Sequence, residues 1–349
     1  MSSNSTFTPI RAILTTQDIL AAYEAHGDDC MIIDIDNLRK TTYAQYGDIF
    51  IKKANGEIVH PRYWKLSGQG ITTASAIKEP SKRSYAQTRI GVCQLAKVND
   101  EQVETDNMKA MKLICELYEK RMEQLKEKKI ITDNDKAPRK QADGTQRPVY
   151  FMSTKIVSPM DTVIIDRETG EAKDREYPYY WLSIPQKRFY NADETKKESV
   201  HFNDQYYFDA DKKGPDFTKP IMTFSYAPTF FNIDNFIHHP RTGKKVYKKL
   251  GSIDDDESEP LLDNTNIHKY LTKGTAMVGN IKFELVIAGR QAKMEISLYG
   301  SMYVRQGTYS QSEEQDDDCL DEFSNRYANM TVTKKQVDED LDEPDLDDF

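Results

Sequence analysis

Along most of this chain, apolar residues fall at alternate positions in short runs punctuated by Gly, Pro, Asn and Asp; only once do they take a helical spacing. The clearest alternation runs through Ile281, Phe283, Leu285 and Ile287 and resumes at Met294, Ile296 and Leu298 after the turn Ala288-Gly-Arg-Gln291. This period of two predicts a pair of strands with one face in a core and the other toward solvent or ligand. A second hairpin is predicted where Asp48 to Lys53 and Glu57 to Leu66 flank Asn55-Gly56, a dipeptide suited to a two-residue turn. Further strands are expected at Asp28 to Asn37, Arg89 to Lys97, Arg147 to Val157, Thr162 to Asp166, Val200 to Phe208 and Ile221 to Tyr226. An aromatic segment, Tyr177 to Tyr190, is broken by Pro178 and Pro185. Between Glu101 and Lys129 the period changes: Met108, Met111, Cys115, Tyr118, Met122 and Leu125 recur at three and four, with no Gly or Pro, which predicts one long amphipathic helix. Polar residues from Thr132 to Arg147 read as a mobile connection. Together these elements predict a β-rich α+β fold, most simply a small barrel or sandwich with insertions.

Charge divides the chain. Its 349 residues hold 48 Lys and Arg against 57 Asp and Glu, a net of −9. Fifteen of those carboxylates lie in two segments without a base, 313–322 and 338–349, and without them the balance would be +6. The body, residues 1–312, is therefore mildly basic, and the end, 313–349, strongly acidic. Residues 338–349 have too few apolar groups to offset chain entropy and are expected to be disordered. No apolar run approaches the roughly 18 residues of a membrane span, and the start lacks the pattern of a signal peptide, so an intracellular protein without membrane association is expected. Four cysteines without paired spacing support neither a disulfide framework nor a zinc site; reduced thiols in a cytosolic or nuclear setting fit.

The acidic end carries the strongest functional signal. Phe349 follows Asp347 and Asp348, with Asp345 and Leu346 just before, so one ring could enter a pocket on a partner while carboxylates meet its Lys or Arg. This terminus resembles the tails of replicative single-stranded DNA-binding proteins of the phage and large DNA virus type. The resemblance covers the last dozen residues, Asp338 to Phe349. It implies an OB-fold body that coats single-stranded DNA in replication, recombination and repair. It also implies a tail that recruits a replicative DNA polymerase, helicase or primase and competes with DNA for the groove. For a viral protein, the setting would be the host cytoplasm or nucleus where viral DNA is replicated. A single OB-fold needs far fewer than 312 residues, so an OB-fold-like β-barrel here must carry large insertions, including the helix at about 101–130, or a second domain. Pro344 stands five residues before Phe349 rather than next to it, nearer the phage and viral form than the bacterial one.

Sequence-independent binding of single strands calls for exposed rings that stack bases and for Lys or Arg along the phosphate path. Rings and bases interleave at Arg62-Tyr63-Trp64-Lys65, at Tyr179-Tyr180-Trp181 with Lys187 and Arg188, and at Lys244-Lys245-Val246-Tyr247-Lys248-Lys249; Tyr299, Tyr303 and Arg305 add to them. Each has a plainer reading. Trp64 and Trp181 are the only tryptophans, and a ring in such a chain is more often core than platform.

Enzymatic motifs are weak. Asp34 and Asp36 in Ile-Ile-Asp-Ile-Asp resemble the Asp-x-Asp of haloacid-dehalogenase-type phosphotransferases, where the two acids act beside magnesium. Leu38 stands where that family has Thr or Val, and no βα alternation follows, so two acids at a strand end are the better reading. His238 and His239 beside Asp234 are adjacent and would point to opposite faces of a strand, a poor metal pair. No catalytic role, metal or cofactor is expected. Besides DNA binding, two readings remain: an interaction scaffold with an acidic docking tail, and a magnesium phosphotransferase using Asp34 and Asp36. Self-association is compatible with all of these.

Overall fold

The computed structural model describes residues 10–41, 44–77, 89–93, 95–98, 101–128, 131–132, 150–151, 155–165, 169–191, 196–197, 206–211, 214–220, 222–250, 262, 266–288 and 291–307. The acidic segment 313–349, with Asp345, Leu346, Asp347, Asp348 and Phe349, lies outside them, as do 133–149, which take in all of the expected connection but Thr132, and 251–261.

The described chain is mostly β-sheet with few helices. Strand β1 (Ile10–Thr15) leads into helix α1 (Thr16–His26). Thr15 and Asp18 cap that helix reciprocally: the Asp18 amide donates to Thr15 Oγ1 at 3.1 Å, and the Thr15 amide donates to the Asp18 carboxylate at 2.9 Å. Four short strands follow, β2 (Met31–Ile33), β3 (Arg39–Lys40), β4 (Gln45–Gly47) and β5 (Ile49–Lys52), and then the long β6 (Ile58–Thr73) and β7 (Arg89–Cys93). Strands β8 (Leu95–Val98) and β9 (Glu101–Glu104) form a hairpin before helix α2 (Asp106–Glu127). Beyond it β10 (Ile131–Thr132) pairs with β11 (Tyr150–Phe151), and β12 (Lys155–Val157), β13 (Met160–Ile165) and β14 (Ala172–Ser183) run in sequence. Strand β15 (Gln186–Asn191) lies between β16 (Lys196–Lys197) and the later β19, and β17 (Tyr206–Asp209) pairs with β18 (Gly214–Pro220). Strands β19 (Met222–Tyr226), β20 (Thr229–His238), β21 (Lys245–Lys249), β22 (Ala276–Ala288) and β23 (Gln291–Arg305) complete the order.

Five strands pair in a circuit. Strand β6 pairs antiparallel with β7, β7 antiparallel with β14, β14 parallel with β23, β23 antiparallel with β22, and β22 antiparallel with β6 again. Strand β6 can join both ends because it is 16 residues long and irregular: its register against β1 slips between Pro61 and Tyr63, and its C-terminal half crosses β22 closely. At that crossing Gly70 has no substitute, since a Cβ there would stand 1.9 Å from the Met277 carbonyl oxygen.

Alternation places one set of side chains inside this circuit. Trp64, Leu66 and Ile71 of β6 are buried with Ile90 and Val92 of β7, Tyr180 and Leu182 of β14, Ile281, Phe283 and Leu285 of β22, and Met294, Ile296 and Leu298 of β23. Burying an aliphatic side chain of this size contributes about 1.5–3 kcal/mol. Trp64 meets Phe283 edge-on, with centroids 6.5 Å apart. The face of α2 formed by Met108, Met111, Ile114, Cys115, Tyr118 and Met122 belongs to the same core. A buried polar network ties both helices to it. Trp64 Nε1 donates to Thr16 Oγ1 at 3.1 Å, the Thr16 hydroxyl donates to Asn107 Oδ1, and Asn107 Nδ2 donates to the Gln69 carbonyl at 2.6 Å.

The predicted hairpin at 281–298 forms with Ile281 opposite Leu298, Phe283 opposite Ile296 and Leu285 opposite Met294. Two local expectations are corrected. The turn around Asn55-Gly56 holds three residues, not two: the Gly56 amide donates to the Lys53 carbonyl, the Lys53 amide to the Glu57 carbonyl, and Gly56 has φ 86°, the left-handed residue of a three-residue hairpin loop. The long helix starts at Asp106 rather than Glu101, because the Thr105 hydroxyl accepts from the Met108 amide and leaves Glu101–Glu104 free to pair with β8.

Candidate nucleic-acid interface

Outside the circuit, β14 presents a row of rings. Its buried Tyr180 and Leu182 fix the phase of the regular stretch, so Tyr179 and Trp181 point the opposite way and are half-buried; Tyr177, also half-buried, falls where the register against β13 shifts between Asp174 and Tyr179. Alternate residues of a strand stand about 7 Å apart at a rise of about 3.4 Å per residue, which sets the spacing of Tyr179 and Trp181. The Arg175 guanidinium lies 4.2 Å from the Tyr179 ring centroid and 3.6 Å from the Asp161 carboxylate. Opposite Trp181 on β7 is Gly91; a Cβ there would be in ordinary contact with the indole at 3.5 Å and would crowd Ser75 Oγ at 3.0 Å.

Trp181 lines a pocket of about 390 Å³ between β7, β12, β13, β14 and β23. Arg89, Lys293 and Ser183 supply donors to it, and Asp161 and Glu295 supply carboxylates; the Lys293 ammonium is 3.3 Å from Glu295. The volume falls in the range of small-ligand sites, and the lining combines a ring, two cations and hydrogen-bonding groups.

A second aromatic surface lies across β6, β22 and β23. Tyr63 and Tyr299 stack with centroids 4.2 Å apart and an interplanar angle of 28°, and the Arg62 guanidinium is 5.7 Å from the Tyr63 ring. Burial, then the hydrogen bond to Tyr299, raises the Tyr63 phenol above its ordinary range, so it stays a neutral hydrogen-bonding group. Lys65 is half-buried opposite Asn280, which in turn faces Tyr299.

A third surface extends from the end of β23. Phe231 stacks on Tyr303 at 5.4 Å, Tyr247 meets Tyr303 edge-on at 5.6 Å, and Phe236 meets Tyr247 at 6.1 Å. Lys245 Nζ is 4.2 Å from the Phe236 ring centroid. Arg305 is held by Asp234, with Nε 3.2 Å from each carboxylate oxygen. Lys244 is exposed in the turn, and Lys248 and Lys249 extend along β21.

Strand phase separates the expected rings. Trp64 and Tyr180 are fully buried, since the strand phase that turns their neighbours Tyr63 and Trp181 outward turns these two rings into the core. Lys187 and Arg188 belong to β15, paired with β19, and their side chains lie outside the described residues. Arg89, Gly91 and Lys293 carry no aromatic-basic signature of their own; their part comes from strand register alone. Phe231 and Phe236 were missed because no base adjoins them in the sequence.

Asp34 closes a turn: its carboxylate accepts from the Asp36 amide at 3.0 Å, the Asn37 amide at 3.1 Å and Asn37 Nδ2 at 2.9 Å. His239 Nδ1 accepts from the amides of Arg241 and Thr242, both at 3.3 Å, and His238 rests edge-on against Phe236. Among the described residues no group of three or more His, Cys, Asp or Glu side chains is placed to hold a metal ion. Among the same residues no helix is long and apolar enough to cross a membrane.

No family model matches the chain, and no curated protein matches it.

Proposed function

We propose that this chain is a single-stranded DNA-binding protein of replication, recombination and repair, built on an OB-fold-like barrel. The observation that carries the reading is the pair Tyr179 and Trp181 on the outer face of β14, beside a pocket that holds Arg89 and Lys293. Rings at this spacing take bases of an extended strand one after another, each stack being worth about 1–3 kcal/mol, while the two cations meet phosphates. The strand circuit supports the barrel. Numbered along the chain, its members β6, β7, β14, β22 and β23 pair in the order first, second, third, fifth, fourth and back to first, with the third and fifth parallel. In an OB-fold the face of the second and third strands binds oligonucleotides, and here these are β7 and β14. The acidic segment 338–349 acts as a strand mimic and as a docking arm in which Phe349 engages a polymerase, helicase or primase.

The two tryptophans supply the test. Trp64 is sealed in the core and Trp181 lines the pocket. Titration with oligothymidine should change the emission of Trp181 saturably, and Trp181→Phe should abolish that change. A chain whose emission is unaltered by saturating oligothymidine does not use this face.

A second reading is favoured by Glu284 and Glu295, which stand directly opposite each other on β22 and β23 beside the pocket. Acids there repel phosphate and suit a protein partner instead. On that reading the chain is an interaction scaffold, and oligothymidine fails to bind.

A further inference from the structure

Two hairpins leave the five-strand circuit, and each exposes branched aliphatic side chains. The first is β13 with β14. Val163, Ile164 and Ile165 are 38%, 46% and 59% exposed in succession, and among the described residues β13 pairs only with β14. The second is β20 with β21. Ile237, 54% exposed, lies opposite Val246, 44% exposed, and among the described residues β21 pairs only with β20. A lone exposed Ile or Val is ordinary; consecutive ones on an unpaired edge form a template for another strand.

Charge distinguishes the two. Among the described residues of this hairpin, 161–165 and 169–176, there are four carboxylates (Asp161, Glu171, Asp174 and Glu176) against two bases, Lys173 and Arg175. Residues 237–249 contain five bases (Arg241, Lys244, Lys245, Lys248 and Lys249) and no carboxylate. The acidic hairpin hangs from β14 and the basic one from the C-terminal half of β23, so the patches do not overlap. Either patch against itself would set like charges face to face, whereas one against the other joins opposite charges and buries aliphatic residues from both.

We propose that the chain associates head to tail with further copies of itself, the acidic β13 edge of one copy pairing with the basic β21 edge of the next. Edge N–H and C=O groups supply main-chain hydrogen bonds, the aliphatic side chains supply burial, and the charge contrast fixes which edge meets which. Such an interface is heterologous: after docking, each end of the assembly still offers one free patch, and growth continues. One consequence rests on the strand-binding reading, namely that neighbours so joined sit side by side along a single strand and bind it cooperatively. The association itself does not depend on DNA.

Sedimentation velocity of the full chain without nucleic acid tests it. Mass should grow with concentration at low ionic strength and fall toward monomer near 1 M salt, where screening acts beyond about 3 Å. This series needs no variant to fold. Ile164→Lys with Ile165→Lys should stop growth, and so should Ile237→Asp with Val246→Asp, each variant melting near the parent temperature. An equimolar mixture of the two should form dimers and nothing larger, because each retains the patch its partner lacks. A monomeric parent at all concentrations overturns the proposal, as does continued assembly by either variant alone or a mixture that stays monomeric. With DNA absent, these outcomes are independent of whether the β14 face binds a strand.

Discussion

Replacing Trp181 by Ala removes one ring of the proposed stacking face and little else. The indole is only partly buried and sits against Gly91, so the substitution leaves no sealed cavity of the kind that costs about 3–5 kcal/mol when a core Phe or Trp is truncated. Nothing in the described hydrogen-bond network runs through its side chain, in contrast to Trp64, whose N–H is tied to Thr16. Loss of one base stack should weaken oligothymidine binding by about 1–3 kcal/mol, roughly 5- to 150-fold. Fluorescence anisotropy of a labelled oligonucleotide at low salt measures it, with thermal melting to verify folding. Trp181→Phe keeps a π face and should retain most of the affinity. A Trp181→Ala protein that melts like the parent and binds within about twofold of it would refute stacking at this position.

Other substitutions test the architecture and the tail. Thr16→Val removes both the acceptor for Trp64 Nε1 and the donor to Asn107, leaving two buried groups unsatisfied at about 1–3 kcal/mol each, so denaturant unfolding should show a loss of about 2–6 kcal/mol. Asp48 is held below the ordinary carboxylate range, chiefly by its hydrogen bond to His60, against the opposing effect of burial. A carboxyl depressed on folding stabilises above its unfolded pKa of about 3.9 and loses that contribution as pH falls through the folded value, so Asp48→Asn should flatten the acid limb of the melting profile below about pH 4. Deleting residues 338–349 should raise affinity for single strands and weaken capture of a replicative polymerase, helicase or primase; unchanged affinity would remove the strand-mimic role of the acidic segment.

How much of this was legible depended on the range of the interaction that fixes each feature. The β22–β23 hairpin and the body of α2 were readable because their periodicity is local: Phe283 faces Ile296 across a short turn, and Met108 to Met122 repeat on one helix face. The helix start was misread because Thr105, a capping residue, outweighs the helix-compatible residues before it. The circuit itself could not be read, since it is closed by pairings such as Leu182 with Ile296, whose partners lie more than a hundred positions apart and leave no local mark. The same holds for the site. Interleaved rings and bases single out this segment of β14, but which of Tyr179, Tyr180 and Trp181 faces outward follows from strand phase, and Arg89, Gly91 and Lys293 join them only through register with β7 and β23.

Binding of a labelled oligothymidine and of a duplex of equal length, compared in the same buffer across a salt series, tests the central claim most directly. A strand-stacking face gives a clear preference for the unpaired strand and a log–log salt slope of about −0.7 for each phosphate neutralised. Equal binding of the two forms, or none of either, would contradict it.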